Sequence, residues 1–254
     1  LDLEKMGIDS NLLSLVEIGP GEGSLSRDLI EAIFEIEPAL INKLELVLVE
    51  INMGMRRRQE KVVNNKNGVN CRWSSMEELR LRPVRGVVIA NEVLDTFPVE
   101  RLIFREKKIF RQGVSLKKIN DEYFLEFVDL KVTNEIKQFL KDSKDLLNID
   151  FPPKDICNGW VTEWHCDVPI WFENLSKVLV DGSVLVVDYA MESKRYYNAQ
   201  RKDGTIISYR NQVANSEILK DAGFCDLTAH LCIESTINYA LTNGWRFMGE
   251  TRQG

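Results

Sequence analysis

The most informative segment of the chain is Glu17-Ile18-Gly19-Pro20-Gly21-Glu22-Gly23-Ser24. It overlaps the end of a short apolar run, Leu13–Ile18, which has the length of a buried strand. Behind it, apolar residues recur at helical spacing, with Ser24 as the predicted N-cap. A glycine-rich turn between a strand and a helix lets the backbone approach a ligand closely and directs free helix N–H groups toward negative charge. The segment therefore predicts a ligand-binding strand–turn–helix unit.

Further strands and helices follow in alternation. Strands are predicted over Leu44–Val49, Val69–Trp73, Val87–Ala90 and Ser183–Val187, and helices over Met55–Val63 and Ile170–Leu179. The last part of the chain indicates strand, helix and strand over Leu227–Leu231, Ser235–Leu241 and Arg246–Met248. Alternation at this spacing is typical of an α/β fold, a doubly wound, mostly parallel sheet with helices on both faces.

The pattern changes between Val99 and Asn158. Short strands with charged turns are predicted there over Leu102–Phe104, Ile109–Phe110 and Tyr123–Val128, followed by a polar helix near Glu135–Leu147. We interpret residues 99–158 as an inserted subdomain that is rich in strands and carries one helix. Residues 1–98 and 159–254 then form the core.

Composition excludes several classes of protein. The 254 residues are 44% hydrophobic and 28% charged, which is ordinary for a globular chain. With 33 basic and 39 acidic residues the net charge is −6, which argues against nucleic-acid binding. No apolar stretch approaches the roughly 18 residues of a membrane span. The five cysteines include no C-x-x-C pair, so we expect free thiols and no metal site.

The glycine spacing bears on the ligand. A dinucleotide fingerprint G-x-G-x-x-G would need glycine at position 24, where the chain has Ser24. The spacing present, G-x-G-x-G, suits a nucleoside with an amino-acid tail, although a tight glycine turn can also be purely structural. Glu50 ends the second predicted strand, where a carboxylate can accept hydrogen bonds from both ribose hydroxyls. An exposed strand-end carboxylate is the alternative for Glu50 alone; together with the turn it predicts nucleoside-cofactor binding.

A third polar segment, Asn91-Glu92-Val93-Leu94-Asp95-Thr96-Phe97-Pro98, follows the fourth strand. Glu92 and Asp95 are suited to hold a cationic acceptor such as a guanidinium by charge-assisted hydrogen bonds, and to accept a proton from it. The alternative is that Asn91 caps a helix whose first turn favours acidic residues. The spacing does not decide between the two.

These segments resemble the MidA-like family of class I S-adenosylmethionine (SAM)-dependent methyltransferases. That family includes the mitochondrial complex I assembly factor that methylates protein arginine. Further stretches carry the resemblance: Val49-Glu50-Ile51 through Met55-Arg56 and Gln59, Asn91 to Val99, Val187-Asp188-Tyr189, Gly204-Thr205, Tyr209-Arg210, and Asp226-Leu227-Thr228-Ala229-His230. Ala190 departs from the family's glycine, and Asn215–Gly223 matches poorly. The family also has an N-terminal helical region before the first motif, which we expect this chain to lack.

The resemblance implies a Rossmann-like methyltransferase fold with SAM as cofactor and no metal. The cofactor-binding residues would be Glu17, Gly19, Gly21, Gly23, Glu50, Trp73, Ser75 and Asn91. The catalytic candidates would be Glu92, Asp95, Asn91 and His230. His230 is by pattern a lone histidine at a strand end, and only the resemblance moves it to the active site. Glu163 is a candidate substrate contact, and Trp160, Trp164 and Trp171 serve either core packing or a substrate rim.

The function that the resemblance implies is arginine N-methylation of a protein, linked to a respiratory complex I-type subunit. The expected setting is intracellular, in a bacterial cytoplasm or the mitochondrial matrix, with a homodimer as one option. Two alternatives stay open at this point. One is an assembly chaperone that keeps the fold and binds its client without turnover. The other is a nicotinamide-dependent oxidoreductase, against which Ser24 counts.

Overall fold

The computed structural model describes residues 12–63 and 66–252. It divides into two compact units. Of the described residues, 12–63, 66–93 and 173–188 belong to the first unit, and 94–172 and 189–252 belong to the second. The division of the chain into a core and an insertion of residues 99–158 stays a prediction.

The described residues form the following strands: β1 (Leu13–Ile18), β2 (Leu44–Val49), β3 (Asn70–Ser74), β4 (Val84–Asn91), β5 (Glu100–Arg105), β6 (Lys108–Ile119), β7 (Glu122–Leu130), β8 (Val161–Trp164), β9 (Leu179–Val187), β10 (Ala190–Met191), β11 (Ile207–Arg210), β12 (Val213–Asn215), β13 (Asp226–Thr228) and β14 (Leu231–Cys232). The helices are α1 (Ser24–Ile36), α2 (Pro38–Ile41), α3 (Met53–Val63), α4 (Met76–Leu81), α5 (Asn134–Leu147), α6 (Val168–Ser176), α7 (Ser193–Tyr196) and α8 (Ile233–Thr242). Short 3₁₀ turns cover Lys66–Gly68 and Leu94–Thr96.

The first unit is built on a five-stranded sheet in the order β3-β2-β1-β4-β9. Every pairing in it is parallel, including that of β1 with both β2 and β4. The predicted α/β fold with a parallel sheet is therefore confirmed. Because the strands are parallel, their carboxyl ends share one edge, and the segments after β1, β2 and β4 meet there.

The apolar runs form strands because both of their faces are buried. All six residues of β2 are buried, as expected for a central strand of a parallel sheet. Leu46 and Leu48 belong to a core cluster that also contains Ile30 of α1 and Val63 of α3. Helix α1 has its N-cap at Gly23, so the prediction of Ser24 as N-cap is wrong by one residue.

The second unit contains antiparallel sheets and their helices. A four-stranded sheet runs in the order β7-β6-β5-β8, and a three-stranded sheet in the order β12-β11-β13. The β6–β7 hairpin turns at Asn120 and Asp121, both of which have positive φ, as in a two-residue turn of type I′. Its core surrounds Trp160, whose side chain is fully buried. The prediction of a strand-rich part with helices, in addition to the parallel sheet, is therefore confirmed.

The structure corrects two predictions in the last third of the chain: one helix is present but ends earlier than predicted, and one strand does not form. The apolar helix over Ile170–Leu179 ends at Ser176, because the N–H groups of Lys177 and Val178 bond carbonyls three residues back and Leu179 already starts β9. No strand forms over Arg246–Met248, where Phe247 and Met248 are exposed.

Of the helices that the structure describes, none is long and apolar enough to cross a membrane.

Candidate functional site

The glycine turn connects β1 to α1 in a conformation that needs glycine. Gly19, Gly21 and Gly23 all have positive φ, and the Gly23 N–H closes the turn onto the Pro20 carbonyl at 2.7 Å. A Cβ added to Gly21 would meet no atom within 4 Å. Gly21 thus combines the left-handed backbone with open space, and the α1 N-terminus that follows has free N–H groups. Such a turn can receive a ligand's negatively charged end.

Glu17, the acid on β1, works inside the protein. Its side chain is buried and accepts hydrogen bonds from the hydroxyl and the backbone N–H of Ser26 in the first turn of α1. Burial raises the pKa of this carboxyl, and the bonds from Ser26 oppose that rise. Glu17 therefore fixes the start of α1 and supports the turn from beneath.

Glu50 stands at the carboxyl end of β2 and is half-buried. One carboxylate oxygen accepts the Asn52 backbone N–H at 2.7 Å, and the other accepts the Gln59 side-chain amide at 3.2 Å. A carboxylate has about four acceptor positions, so two remain for other donors. The arrangement leaves Glu50 fixed in orientation and able to accept two hydroxyl groups.

Gln59 of α3 holds the site together, although sequence reasoning did not name it as a site residue. It is fully buried, and its amide nitrogen donates to the Gly21 carbonyl at 2.7 Å as well as to Glu50. Its amide oxygen accepts the indole N–H of Trp73 at 2.8 Å. The available signal was its place in the helix after Glu50, within the stretch that resembles the family.

Trp73 and Ser75 follow from the third strand. The Trp73 ring is half-buried, packs on the core of the first unit and is oriented by its bond to Gln59. The Ser75 hydroxyl accepts the Glu78 N–H at 3.2 Å, and the Glu78 carboxylate accepts the Ser75 N–H at 2.8 Å. This is a capping box for α4, so Ser75 has a structural task in addition to any contact with a ligand.

Asn91 and Glu92 end the fourth strand at the same edge of the sheet. Asn91 is the last residue of β4, beside Val187 of β9, so it does not cap a helix. Glu92 has a φ of 51°, and its N–H donates to the Val187 carbonyl at 2.8 Å. Its side chain is exposed, and no described residue bonds its carboxylate. An exposed carboxylate therefore follows β4 at this edge of the sheet.

The other two catalytic candidates lie in the second unit. Asp95 is buried in a 3₁₀ turn, and its carbonyl accepts the Ala229 N–H at 2.9 Å. His230 is half-buried, and its ring centroid lies 6.0 Å from that of Tyr189. Burial lowers the pKa of His230, and Arg201 and Arg195 lower it further. Its imidazole is therefore neutral at pH 7 and able to accept a proton.

Glu163 does not fit a role in contacting substrate. Its side chain is fully buried, and its Oε1 lies 3.7 Å from Nε of Arg101. It accepts the N–H and the hydroxyl of Thr205 at 2.8 and 3.2 Å. Trp160 belongs to the core of the second unit. Trp164 packs against the same core and stacks on Phe139, with 4.9 Å between the ring centroids. Within residues 12–63 and 66–252 no group of three or more potential metal ligands is found.

The sheet is parallel, a glycine turn follows its central strand β1, and the acid Glu50 follows the neighbouring strand β2. This combination defines the class of nucleoside-binding α/β proteins. The family model that matches residues 2–251 is described as "Putative S-adenosyl-L-methionine-dependent methyltransferase". The match covers almost the whole sequence, and the chain belongs to this family. SAM is accordingly the cofactor. The alternative of a nicotinamide-dependent oxidoreductase is set aside.

Two solved structures from Burkholderia thailandensis are similar to the chain. One is an uncharacterised protein, 25% identical with a TM-score of 0.73, and the match covers 95% of this chain and 59% of that one. The other is described as a suggested methyl transferase bound to S-adenosyl-homocysteine. It is 26% identical with a TM-score of 0.75, and the match covers 95% of this chain and 57% of that one. The chain thus spans less than three fifths of either structure's length. No curated protein matches the chain.

The residues present fit this cofactor. The open side of Gly21 gives room for the methionine part, and the two unused acceptor positions of Glu50 suit the ribose hydroxyls. The half-buried face of Trp73 suits an adenine. All of these residues lie in the first unit and are joined through Gln59.

Proposed function

We propose that the chain transfers the methyl group of SAM to an arginine side chain of a protein, with a complex I-type subunit as acceptor. The observation that carries the proposal is Glu92. Its exposed carboxylate has no bonding partner among the described residues and follows the strand next to β1, whose end carries the glycine turn. A carboxylate so placed can hold a guanidinium by charge-assisted hydrogen bonds.

The proposed cofactor residues divide the ligand among them. Gly19, Gly21 and Gly23 border the methionine part, and Glu50 the ribose. Trp73, Ser75 and Asn91 are assigned to the adenine side and the reactive end. When bound, SAM supplies a sulfonium methyl group that is electrophilic. The protein's task is then to orient the acceptor and exclude water, because no covalent enzyme intermediate is needed.

The acceptor side of the proposal concerns charge and a proton. A guanidinium spreads its charge over three nitrogens, and Glu92 draws that charge away from the attacking nitrogen. The new C–N bond forms as the C–S bond breaks, and the attacking nitrogen loses one proton. Asp95 and the neutral imidazole of His230 are the groups in the second unit assigned to that proton.

The cofactor half is tested by calorimetric titration with S-adenosyl-homocysteine. We expect micromolar binding that Glu50→Ala abolishes, and no binding of NADH. Glu60→Gln, an exposed acid on α3, is the matched control and should bind as the unaltered protein does. Binding of NADH alone would contradict the proposal.

The acceptor half is tested with methyl-labelled SAM and a complex I-type subunit, beside a variant subunit whose arginines are lysines. We expect label on arginine, and a loss of at least about tenfold in kcat with Glu92→Gln while S-adenosyl-homocysteine still binds. Label on lysine would refute the arginine assignment. A client whose assembly proceeds with Glu92→Gln and without any methylation would establish the chaperone alternative instead.

A further inference from the structure

The main chain around His230 is fixed on both sides. The Ala229 N–H donates to the Asp95 carbonyl at 2.9 Å, and the Leu231 N–H donates to the Tyr189 carbonyl at 2.8 Å. Between them, the His230 carbonyl lies 2.9 Å from Nε2 of His165. Three successive residues are thereby anchored, while the imidazole of His230 stays half-exposed. Residues 229–230 lie between β13 and β14, so no strand ladder holds them.

The buried histidine in this arrangement has a defined protonation state. His165 follows β8 and is only 6% exposed. Its Nδ1 is buried and has no hydrogen-bond partner among the described residues. A proton on Nδ1 would be a buried donor without an acceptor, which costs about 1–3 kcal/mol. The proton therefore sits on Nε2, which donates to the His230 carbonyl.

Burial also keeps this ring neutral, because it lowers the pKa of His165, and the bond to the His230 carbonyl only partly opposes that effect. A neutral ring with its proton on Nε2 makes one strong bond and leaves a bare acceptor at Nδ1. His165 is thus suited to structural support of its neighbour and unsuited to proton transfer.

We propose that His165 is a positioning residue, which aims the His230 imidazole by holding the His230 main-chain carbonyl from behind. The proposal rests on the proposed function in so far as that function assigns His230 to the acceptor side. Without the Nε2–H donor, the segment 229–231 keeps its outer two bonds but loses the one at its centre. The His230 ring then samples more than one orientation.

The geometry is tested without any activity by ¹⁵N NMR of the imidazole rings. The sequence has two histidines, so the signal that His165→Gln removes belongs to His165 and the remaining one to His230. We expect a neutral His165 ring with its proton on Nε2, and shifts in the Ala229 and Leu231 amide signals in His165→Phe. A His165 proton on Nδ1, or unchanged amide signals in a folded His165→Phe, would overturn the proposal.

The role is tested by comparing His165→Phe with His165→Gln. Phenylalanine fills the space without a donor, whereas glutamine supplies an N–H. We expect at least about a tenfold loss in kcat for His165→Phe, with KM for SAM and S-adenosyl-homocysteine binding unchanged, and near-normal kcat for His165→Gln. A folded His165→Phe with full kcat, or an equal loss in both variants, would refute it. If the unaltered protein methylates no acceptor, the proposed function fails, and the NMR result alone decides this proposal; the same holds if His165→Phe does not fold.

Discussion

The side-chain amide nitrogen of Gln59 lies 2.7 Å from the main-chain carbonyl oxygen of Gly21. The same amide group also donates to Glu50 and accepts from Trp73, so one buried side chain connects the glycine turn, the Glu50 carboxylate and the Trp73 ring. Both N–H groups and the oxygen of Gln59 are thereby bonded. The geometry of the proposed cofactor site therefore depends on a residue that need not contact the cofactor.

Gln59→Leu should therefore weaken both the fold and cofactor binding. The change keeps the volume but leaves the Trp73 N–H and the Gly21 carbonyl without their partner, which we expect to cost about 2–4 kcal/mol of unfolding free energy. Affinity for S-adenosyl-homocysteine should fall at least about tenfold, because Glu50 and Trp73 lose their fixed orientation. Urea unfolding and calorimetry measure the two effects. Gln138→Leu, on the exposed side of α5, serves as control; equal effects of both changes would contradict this account.

Gly21→Ala and Gly23→Ala should have different consequences. Both glycines have positive φ, so each change carries a backbone cost of about 1–2 kcal/mol. A Cβ on Gly23 would also lie 3.0 Å from Cγ2 of Val63, whereas one on Gly21 meets open space. We expect Gly23→Ala to lose more stability in urea unfolding, and Gly21→Ala to lose more affinity for S-adenosyl-homocysteine. The reverse order would show that the ligand does not approach Gly21.

The sequence predicts the first unit better than the second for a physical reason. Strands such as β1 and β2 are buried on both faces, so their apolar runs stand out, and both were predicted with the observed bounds. Strands β10 to β14 have two to four residues and no periodic pattern to detect. Only the register with neighbours distant in sequence makes them strands, as with Ile207 and Thr228.

The residues of the candidate site also differ in how well the sequence predicts them. The glycines and the acids that directly follow a predicted strand can be located from the local pattern, because the carboxyl ends of parallel strands lie at one edge of the sheet. Gln59 could not be selected in this way, since its importance comes from partners 38 and 14 residues away. Glu163 is the opposite case: the resemblance made it a candidate substrate contact, whereas the structure buries its side chain beside Arg101 and Thr205.

Ser75→Ala should cost about 1 kcal/mol of unfolding free energy, because it removes the hydroxyl that caps α4. Ser75→Asp retains an acceptor for the Glu78 N–H and should recover most of that loss. Thermal unfolding measures both. If Ser75 also borders the adenine, S-adenosyl-homocysteine affinity will fall in Ser75→Ala beyond what the stability loss explains; unchanged affinity would confine Ser75 to capping.

Glu163→Gln should destabilise the second unit, because it removes the carboxylate that lies 3.7 Å from the Arg101 guanidinium, whose side chain is 14% exposed, and leaves Asp203 as the other acidic neighbour. Breaking a buried ion pair from one side costs about 3–5 kcal/mol. The double variant Arg101→Met/Glu163→Gln removes both charges and should recover part of the loss. Urea unfolding of Glu163→Gln, Arg101→Met and the double variant, each compared with the unaltered protein, forms a double-mutant cycle. Additive losses in that cycle would show that the two groups do not interact.

Glu17→Gln should stabilise the protein at neutral pH and have little effect in acid. Burial raises the folded-state pKa of Glu17 above its ordinary value of 4.5, so the folded state holds this proton more tightly than the unfolded state does. The favourable contribution of the protonated carboxyl is complete below the unfolded-state pKa and is lost as the pH rises through the folded-state pKa. Glutamine has no such loss and still accepts a bond from the Ser26 hydroxyl. The gain should be about 1.4 kcal/mol for each unit by which the pKa is raised. Urea unfolding at pH 4 and pH 8 measures it. A difference between Glu17→Gln and the unaltered protein that is larger at pH 4 than at pH 8 would show that the charged carboxylate, bonded to Ser26 at the start of α1, is the more stable form.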